Sequence, residues 1–390
     1  MSGAAAISTR WRMGVEARAL VIVSAVLLAF GLAVLYSASA LLALHEGHDS
    51  AYYLLRQVSG VVIGGVAFAI AAKLDAERWR EWAWPLMAVT LVLMLIPVLP
   101  FAGAIAPRIH GSRRWVTIGF AFQSSELAKM TVCVWTAMLV VKKGDKLRRL
   151  TSGLLPFLLV IGALVVLAAL EPDLSTAMMF TLLMGIVLFA GGVRVGHFVV
   201  LGVLAIPFLW HEVERMQYAV LRMTSFLNPG NAPAEASFQL KQSLIAVGSG
   251  RWVGVGFGQG RQASGFLPFP FDDTIAGNIG EEWGFVGMLL VTGLFALYGW
   301  LGFRISRQAR SPFQQLTAVG LTVTTLITAY LHIGVVIGLL PTTGLTLPFI
   351  SYGRSNLVIS MLMTGILANI GSTRERVVGA RATNPLAAPA

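Results

Sequence analysis

Residues 19–43 read ALVIVSAVLLAFGLAVLYSASALLA, a run without a single charge. A helix crossing a hydrocarbon core of about 30 Å needs roughly 20 apolar residues. This run is long enough to cross and too long for a cleaved secretory segment. No A-x-A site follows it, so it is expected to remain as a signal anchor. The run is continuous rather than alternating, which excludes a transmembrane β-barrel.

Similar runs recur along the chain. Ten candidate spans are expected near 19–43, 52–72, 82–101, 126–141, 154–170, 174–190, 195–210, 285–303, 316–340 and 355–370. The composition agrees: 56% of the 390 residues are hydrophobic and 12% charged, against roughly 25% charged in a soluble domain. The expected fold class is an all-α polytopic membrane protein of about ten helices, one membrane domain over 1–390. A long extracytoplasmic loop, 211–284, separates spans seven and eight, and 375–390 read as a disordered tail. Loops this long are usually functional or disordered. This one carries aromatics, Pro229, Pro268 and clustered glycines, which favours short helices and tight turns packed on the membrane face.

Charge sets the orientation. The net charge is +11, and an even number of spans puts both termini on one side. That side receives 18 of the 29 basic residues, including Arg10, Arg12, Lys73, Arg78, Lys142, Lys143, Arg304, Arg307, Arg374 and Arg376. The positive-inside rule therefore makes both termini cytoplasmic. Dispersal of the charge over loops excludes a nucleic-acid-binding face. Cys133 is the only cysteine and sits within a span, so neither a disulfide within the chain nor a cysteine metal site is available. No Gly-Lys pair exists for a Walker A loop, and the glycine cluster does not match G-x-G-x-x-G. HEGHD (45–49) is not H-E-x-x-H and reads as a solvated loop.

Acidic residues are scarce, 18 in all, yet FPFDDTIAGNIGEEWG (269–284) holds four: Asp272, Asp273, Glu281 and Glu282. The Glu pair is expected to stabilise the N-terminus of span eight. The Asp pair follows FLPFPF, and apolar neighbours raise a carboxylate pKa and suit it to base work. FQSSELAKM (122–130) offers Ser124 or Ser125 as an N-cap with Glu126 in the first turn. Lys129 then lies a turn inside the membrane and needs a partner, Glu126, Glu171 or Asp173. In LEPDLST (170–176), Pro172 ends one helix and Asp173 caps the next, leaving Glu171 as a second acid. GSGRWVGVGFGQGRQASG (248–265) has two readings: a close-packed turn, or a backbone approaching a phosphate or sugar with Arg251 and Arg261. GLLPTTGLTLPFISYGRSN (338–356) is too apolar for a solvated loop and too broken for a helix. Such backbone survives at membrane depth only when buried in protein or lining a cavity, so it is expected to re-enter and wall a site. Lys129, Glu171, Asp173, Asp273, Arg114 and this segment would then meet at one outer face.

These stretches, with LYSASA (35–40), RRWVTIGFAFQSSELAK (113–129), EPDLSTA (171–177), SFLNP (225–229) and QLKQSLIAVGSG (239–250), resemble the SEDS family, the FtsW/RodA/SpoVE group of peptidoglycan glycosyltransferases. The resemblance covers nearly the whole chain. It implies a ten-span enzyme of the bacterial cytoplasmic membrane that polymerises lipid II with a class B penicillin-binding protein, the transpeptidase, as partner, and other divisome proteins around it. PTTGLTLPFISYG and YSASA look more like the septal division branch than the elongation branch. The family's catalytic Asp, in a pattern like L-P-E-x-H-T-D-F-I-F, falls on Asp273. Arg114, Lys129, Glu171, Asp173, Arg261, Ser351 and Arg354 are the expected substrate contacts, with Asp272, Glu126, Glu281 and Glu282 secondary. Phe269 and Phe271 replace the family's Glu and His, Asp272 its Thr, Ser124 a Pro and Arg354 a Gly. The implied chemistry inverts an α-linked diphosphate to a β-1,4 glycan with one general base and nearby cations. A divalent cation, Mg or Mn, is compatible with the acids, but no ligand set is identifiable. A lipid II flippase and a non-catalytic scaffold are the rival classes. The flippase requires polar groups through the mid-plane and at the inner face, and the scaffold requires that the pocket acids be dispensable.

Overall fold

The computed structural model describes residues 7–107, 113–148, 153–199 and 234–378, with isolated positions between 202 and 227. Its helices are α1 (Val15–His45), α2 (Tyr52–Lys73), α3 (Arg78–Leu95), α4 (Ser124–Lys143), α5 (Leu155–Leu170), α6 (Leu174–Ala190), α7 (Ala234–Ser249), α8 (Ile275–Arg307), α9 (Pro312–Val336) and α10 (Arg354–Ile370). Two antiparallel ribbons accompany them: β1 (Ile7–Met13) with β4 (Ser372–Val378), and β2 (Trp115–Ile118) with β3 (Phe120–Gln123). α1, α2, α3, α4, α8 and α9 are long and apolar enough to cross a membrane, and α5, α6 and α10 are shorter apolar helices. Each expected span except the seventh falls on one of these helices. Span seven, 195–210, and the first part of the long loop lie largely outside the described residues.

Some boundaries differ from expectation. The ninth helix stops at Val336, because Gly338 adopts φ +73 and Pro341 follows. α8 starts at Ile275, ten residues before the expected span. The tail expected to be disordered from 375 begins instead as β4, which pairs from Ser372 with Met13 to Val378 with Ile7. Residues 379–390 lie outside the described residues.

α4 forms the centre of the bundle. Every residue from Ala128 to Val140 is buried, against α3, α6 and α9. α2 turns Leu55, Val62, Val66 and Ile70 outward, an apolar face suited to lipid. Its other face meets α10 through small residues: a Cβ on Gly64 would stand 2.6 Å from Met361 Sδ. Such positions let backbones approach where no water drives the helices together.

At one end of the bundle, Asn369 of α10 donates to Ala72 O in the last turn of α2 and accepts from Ala76 N just after it. At the other end lie the β2–β3 ribbon, the α5–α6 turn, the loop leading to α8, and the segment between α9 and α10. This second end carries the acids.

Candidate active site

Asp272 and Asp273 lie in the turn before α8, both half-buried. The turn is held from several sides. Phe271 is buried with Leu35 and Ala38 of α1, its ring 4.7 Å from that of Tyr53 and 5.6 Å from that of Tyr352. Thr274 Oγ1 donates to the carbonyls of Pro268 and Phe269. Ser351 Oγ donates to Asp272 O at 2.7 Å, and Tyr352 N to Phe271 O at 2.8 Å. The irregular segment that supplies these donors is itself anchored by Gln57 of α2. The Gln57 amide donates to Ser351 O at 3.0 Å and accepts from Gly353 N at 3.1 Å. Its backbone is thus satisfied by buried side chains, the condition on which non-helical chain persists inside a bundle.

Beneath the turn sits an ion pair. Lys129 Nζ lies 2.8 Å from Glu126 on α4, and the two residues are 4% and 6% exposed. Glu126 is therefore the partner of Lys129, rather than Glu171 or Asp173. The expected serine cap is not formed: no side chain caps α4, and Ser124 Oγ donates to Met94 Sδ. Burial, then Asp273, then Glu126, push the Asp272 carboxyl well above the ordinary carboxylate range. Asp272 Oδ1 is enclosed without a hydrogen-bond partner. Asp273 has a different neighbour: its Oδ2 accepts from Gln239 Nε2 of α7 at 3.2 Å. Asp273 Oδ1 is enclosed like Asp272 Oδ1, so the two adjacent acids differ in the Gln239 contact.

Arg114, Glu171 and Asp173 form a second cluster. Arg114 donates through Nε to Glu171 O at 3.1 Å and through Nη2 to Pro172 O, and its Nη1 lies 3.3 Å from Asp173 Oδ2. Asp173 also caps α6, accepting from Thr176 N at 3.1 Å, as its position suggested. Glu171 is 3% exposed, and its carboxyl is pushed up to about 9 by burial and by Asp173, against the pull of Arg114. Arg354 opens α10, half-buried, with its stem against Gly60 of α2. The Arg261 side chain is exposed.

Glu281 and Glu282 do not serve the helix terminus for which they were expected. They lie seven and eight residues into α8, just before a break at Gly284 (φ +62, ψ −158). A break strands carbonyls on one side and amides on the other. The glycine cluster satisfies both. Val255 N and Gly256 N donate to Glu281 O and Glu282 O, while Phe285 N and Val286 N donate to Arg251 O and Trp252 O. The Glu281 carboxylate accepts from Arg261 N at 2.9 Å and from Gln262 N. Glu282 accepts from Ser37 of α1 and from the amides of Gly258 and Gly260. A Cβ on Gly254 would fall 2.1 Å from Glu282 O. The cluster is a strap around broken α8, and the amides of Val255, Gly256, Arg261 and Gln262 are engaged by that helix.

Gln57, Gln239 and Ser37 escaped the sequence reading. Uncharged polar residues in apolar or amphipathic helices carry no signal of their own. Only the placement of Gln239 in QLKQSLIAVGSG and of Ser37 in LYSASA marked those two. Among the described residues, no group of three or more His, Cys, Asp or Glu side chains is arranged to hold a metal.

A family model described as "Cell cycle protein", FtsW/RodA/SpoVE, matches residues 17–376. A probable peptidoglycan glycosyltransferase FtsW of Trichlorobacter lovleyi is 37% identical over 89% of this chain and 90% of that protein. Stage V sporulation protein E of Bacillus subtilis is 35% identical over 90% of this chain and 95% of its own length. Among solved structures, one described as "Structural coordination of polymerization and crosslinking by a peptidoglycan synthase complex" matches with a TM-score of 0.74. It is 25% identical and covers 90% of this chain and 96% of that one. The rod shape determining protein RodA of Thermus thermophilus matches with a TM-score of 0.65 at 24% identity, covering 90% of this chain and 95% of that one, a likeness of fold.

Proposed function

The chain belongs to the FtsW/RodA/SpoVE family, and from that premise we propose that it is an inverting peptidoglycan glycosyltransferase that polymerises lipid II at the outer face of the cytoplasmic membrane. The observation that carries this reading is the pair Asp272–Asp273, enclosed between the 338–353 segment, α7 and the Glu126–Lys129 ion pair at one end of a membrane bundle.

The reaction needs one base. The acceptor's 4-hydroxyl gives its proton to a carboxylate as its oxygen attacks the donor's anomeric carbon. The bond from that carbon to the diphosphate breaks, and the diphosphate leaves with the electron pair. Attack opposite the leaving group turns the α linkage into β. Asp273 is the base in this reading. Donation from Gln239 favours a charged carboxylate, whereas the enclosure of Asp272 favours its neutral form. Neighbouring carboxyls driven apart in this way supply one acid and one base from the same residue type. Asp272 then limits charge build-up beside Asp273, and Lys129 offsets Glu126 below them.

A departing diphosphate requires positive charge rather than a proton. Arg354 is our first choice, because Ser351, three residues before it, is bonded to the Asp272 backbone. Arg114, fastened to the α5–α6 turn, holds that wall in place, and Arg261 reaches substrate only from the exposed rim. A class B penicillin-binding protein is the proposed partner, supported by the likeness to a peptidoglycan synthase complex. Relatives named FtsW favour septal wall as the product, in which case depletion gives filamentous cells and rounded cells would speak for elongation. The direct test incubates the purified protein and its cognate transpeptidase with labelled lipid II and resolves the products on a gel. A ladder of glycan polymers is expected, and its absence with an intact partner would overturn the reading.

A further inference from the structure

We propose that Asn278, Glu281 and Glu282, on the first segment of α8, bind a hard divalent cation, Mg²⁺ or Ca²⁺, that clamps the glycine strap to the broken helix. The three residues are spaced i, i+3 and i+4 and share one helix face. An oxygen from each converges on the strap: Asn278 Oδ1 at 3.2 Å, Glu281 Oε2 at 3.2 Å and Glu282 Oε1 at 3.1 Å from the point where a Cβ on Gly260 would stand.

Asn278 supplies the evidence that hydrogen bonding alone does not complete this cluster. It is 0% exposed, and neither its Oδ1 nor its Nδ2 has a partner. Orphaned buried amides are costly and rare. Glu282 Oε2 is likewise enclosed without a partner. The remaining contacts are all to neutral donors. Glu281 Oε1 accepts from Arg261 N at 2.9 Å and Gln262 N at 3.2 Å, Glu281 Oε2 from Gln262 N at 3.1 Å, and Glu282 from Ser37 Oγ and the amides of Gly258 and Gly260. Among the described residues, no Lys or Arg side chain forms an ion pair with either acid. Two adjacent buried carboxylates therefore lack a counter-charge, and buried charges are ordinarily paired or bound to metal. An all-oxygen set of two carboxylates and one amide suits a hard cation that keeps some of its water. Gly260, without a side chain, leaves the strap close enough to close the site.

This site is separate from Asp272 and Asp273, and it stands or falls independently of the catalytic reading. The test uses the full chain in detergent, stripped with a chelator, and follows thermal unfolding while Mg²⁺ or Ca²⁺ is added. Tb³⁺ luminescence excited through tryptophan gives a second readout, because Trp283 adjoins the ligands in sequence. A saturable rise in midpoint and a saturable Tb³⁺ signal are expected. Asn278→Leu should weaken both by more than roughly tenfold in cation affinity. Asn278→Asp adds a charged ligand and should tighten binding, and it decides the matter if the Leu variant does not fold. No saturable shift in the wild-type chain, an equal shift in Asn278→Leu, or unchanged affinity in Asn278→Asp would each overturn the proposal. Those results leave Asn278 holding water only.

Discussion

Two acid pairs stand eight residues apart in one stretch of chain, and they are treated in opposite ways. Glu281 and Glu282 are buried in a helix and wrapped by backbone amides from a glycine strap. Asp272 and Asp273 sit in a turn outside the helix, half-buried, with the backbone of the turn fastened by Ser351 and Tyr352. Carboxylates surrounded by fixed amides hold a fold together. A carboxylate left half-buried on a fastened turn is placed to meet a substrate. Residue type and sequence spacing do not separate the two cases. The partners do.

The strongest way to break the comparison is to neutralise one acid of each kind. Asp273→Asn keeps shape and removes basicity, and it should cost about 10²–10⁴ in polymerisation rate with an unchanged thermal midpoint. Asp272→Asn replaces the carboxyl whose burial favours its neutral form, and it should stay within a few-fold of wild type. Rates are read from labelled lipid II and folding from thermal scans. If Asp272→Asn is dead and Asp273→Asn active, the roles within the pair are reversed.

The strap should fail in the contrary manner. Gly254→Val puts a Cβ on a residue at φ +82 and 2.1 Å from Glu282 O. The strap must open to admit it, at a cost of about 3 kcal/mol or more. Yield and thermal midpoint should fall, while the fraction that remains folded keeps near-normal specific activity. A midpoint equal to wild type would show that the strap does not support the break in α8.

Much of this architecture was legible in sequence because the hydrocarbon core imposes a length on apolar runs. Leu155–Leu170 and Leu174–Ala190 fell close to expectation for that reason. The Asp173 cap was legible because capping is local. The Glu pair was misread because its function depends on a strap 19 or more residues upstream, and the spacing that suggests a helix entrance is equally met by a broken helix. Phe271 stands where the family pattern has His. Its ring lies with Tyr53 and Tyr352, so the substitution builds an aromatic anchor for the turn. None of those partners is near it in sequence.

Gln239 sharpens the contrast within the Asp pair. It is the donor that Asp273 has and the enclosed oxygen of Asp272 lacks. Gln239→Leu removes a bond that favours the charged carboxylate, so more alkaline conditions are needed to ionise the base. The acid limb of the pH–rate profile should move to higher pH, with the alkaline plateau unchanged. A slower enzyme with an unmoved limb would assign Gln239 to packing alone.

Glu171 offers the smallest effect and the cleanest sign. It resembles the Asp pair in enclosure, yet it lies in the Arg114 cluster, where no chemistry is assigned to it. Its folded-state value of about 9 lies above the ordinary 4.5. The folded chain therefore keeps a proton that the unfolded chain releases between those values. Stability is fully present below the lower value and is lost as pH rises through the higher one. Glu171→Gln cannot release that proton. The variant should match wild type near pH 4.5 and exceed it at pH 8 by on the order of 1–3 kcal/mol, a few degrees in thermal midpoint. If the two midpoints run parallel across that range, Glu171 is ionised against Arg114, and the second cluster is an ordinary salt-bridge network rather than a store of one proton.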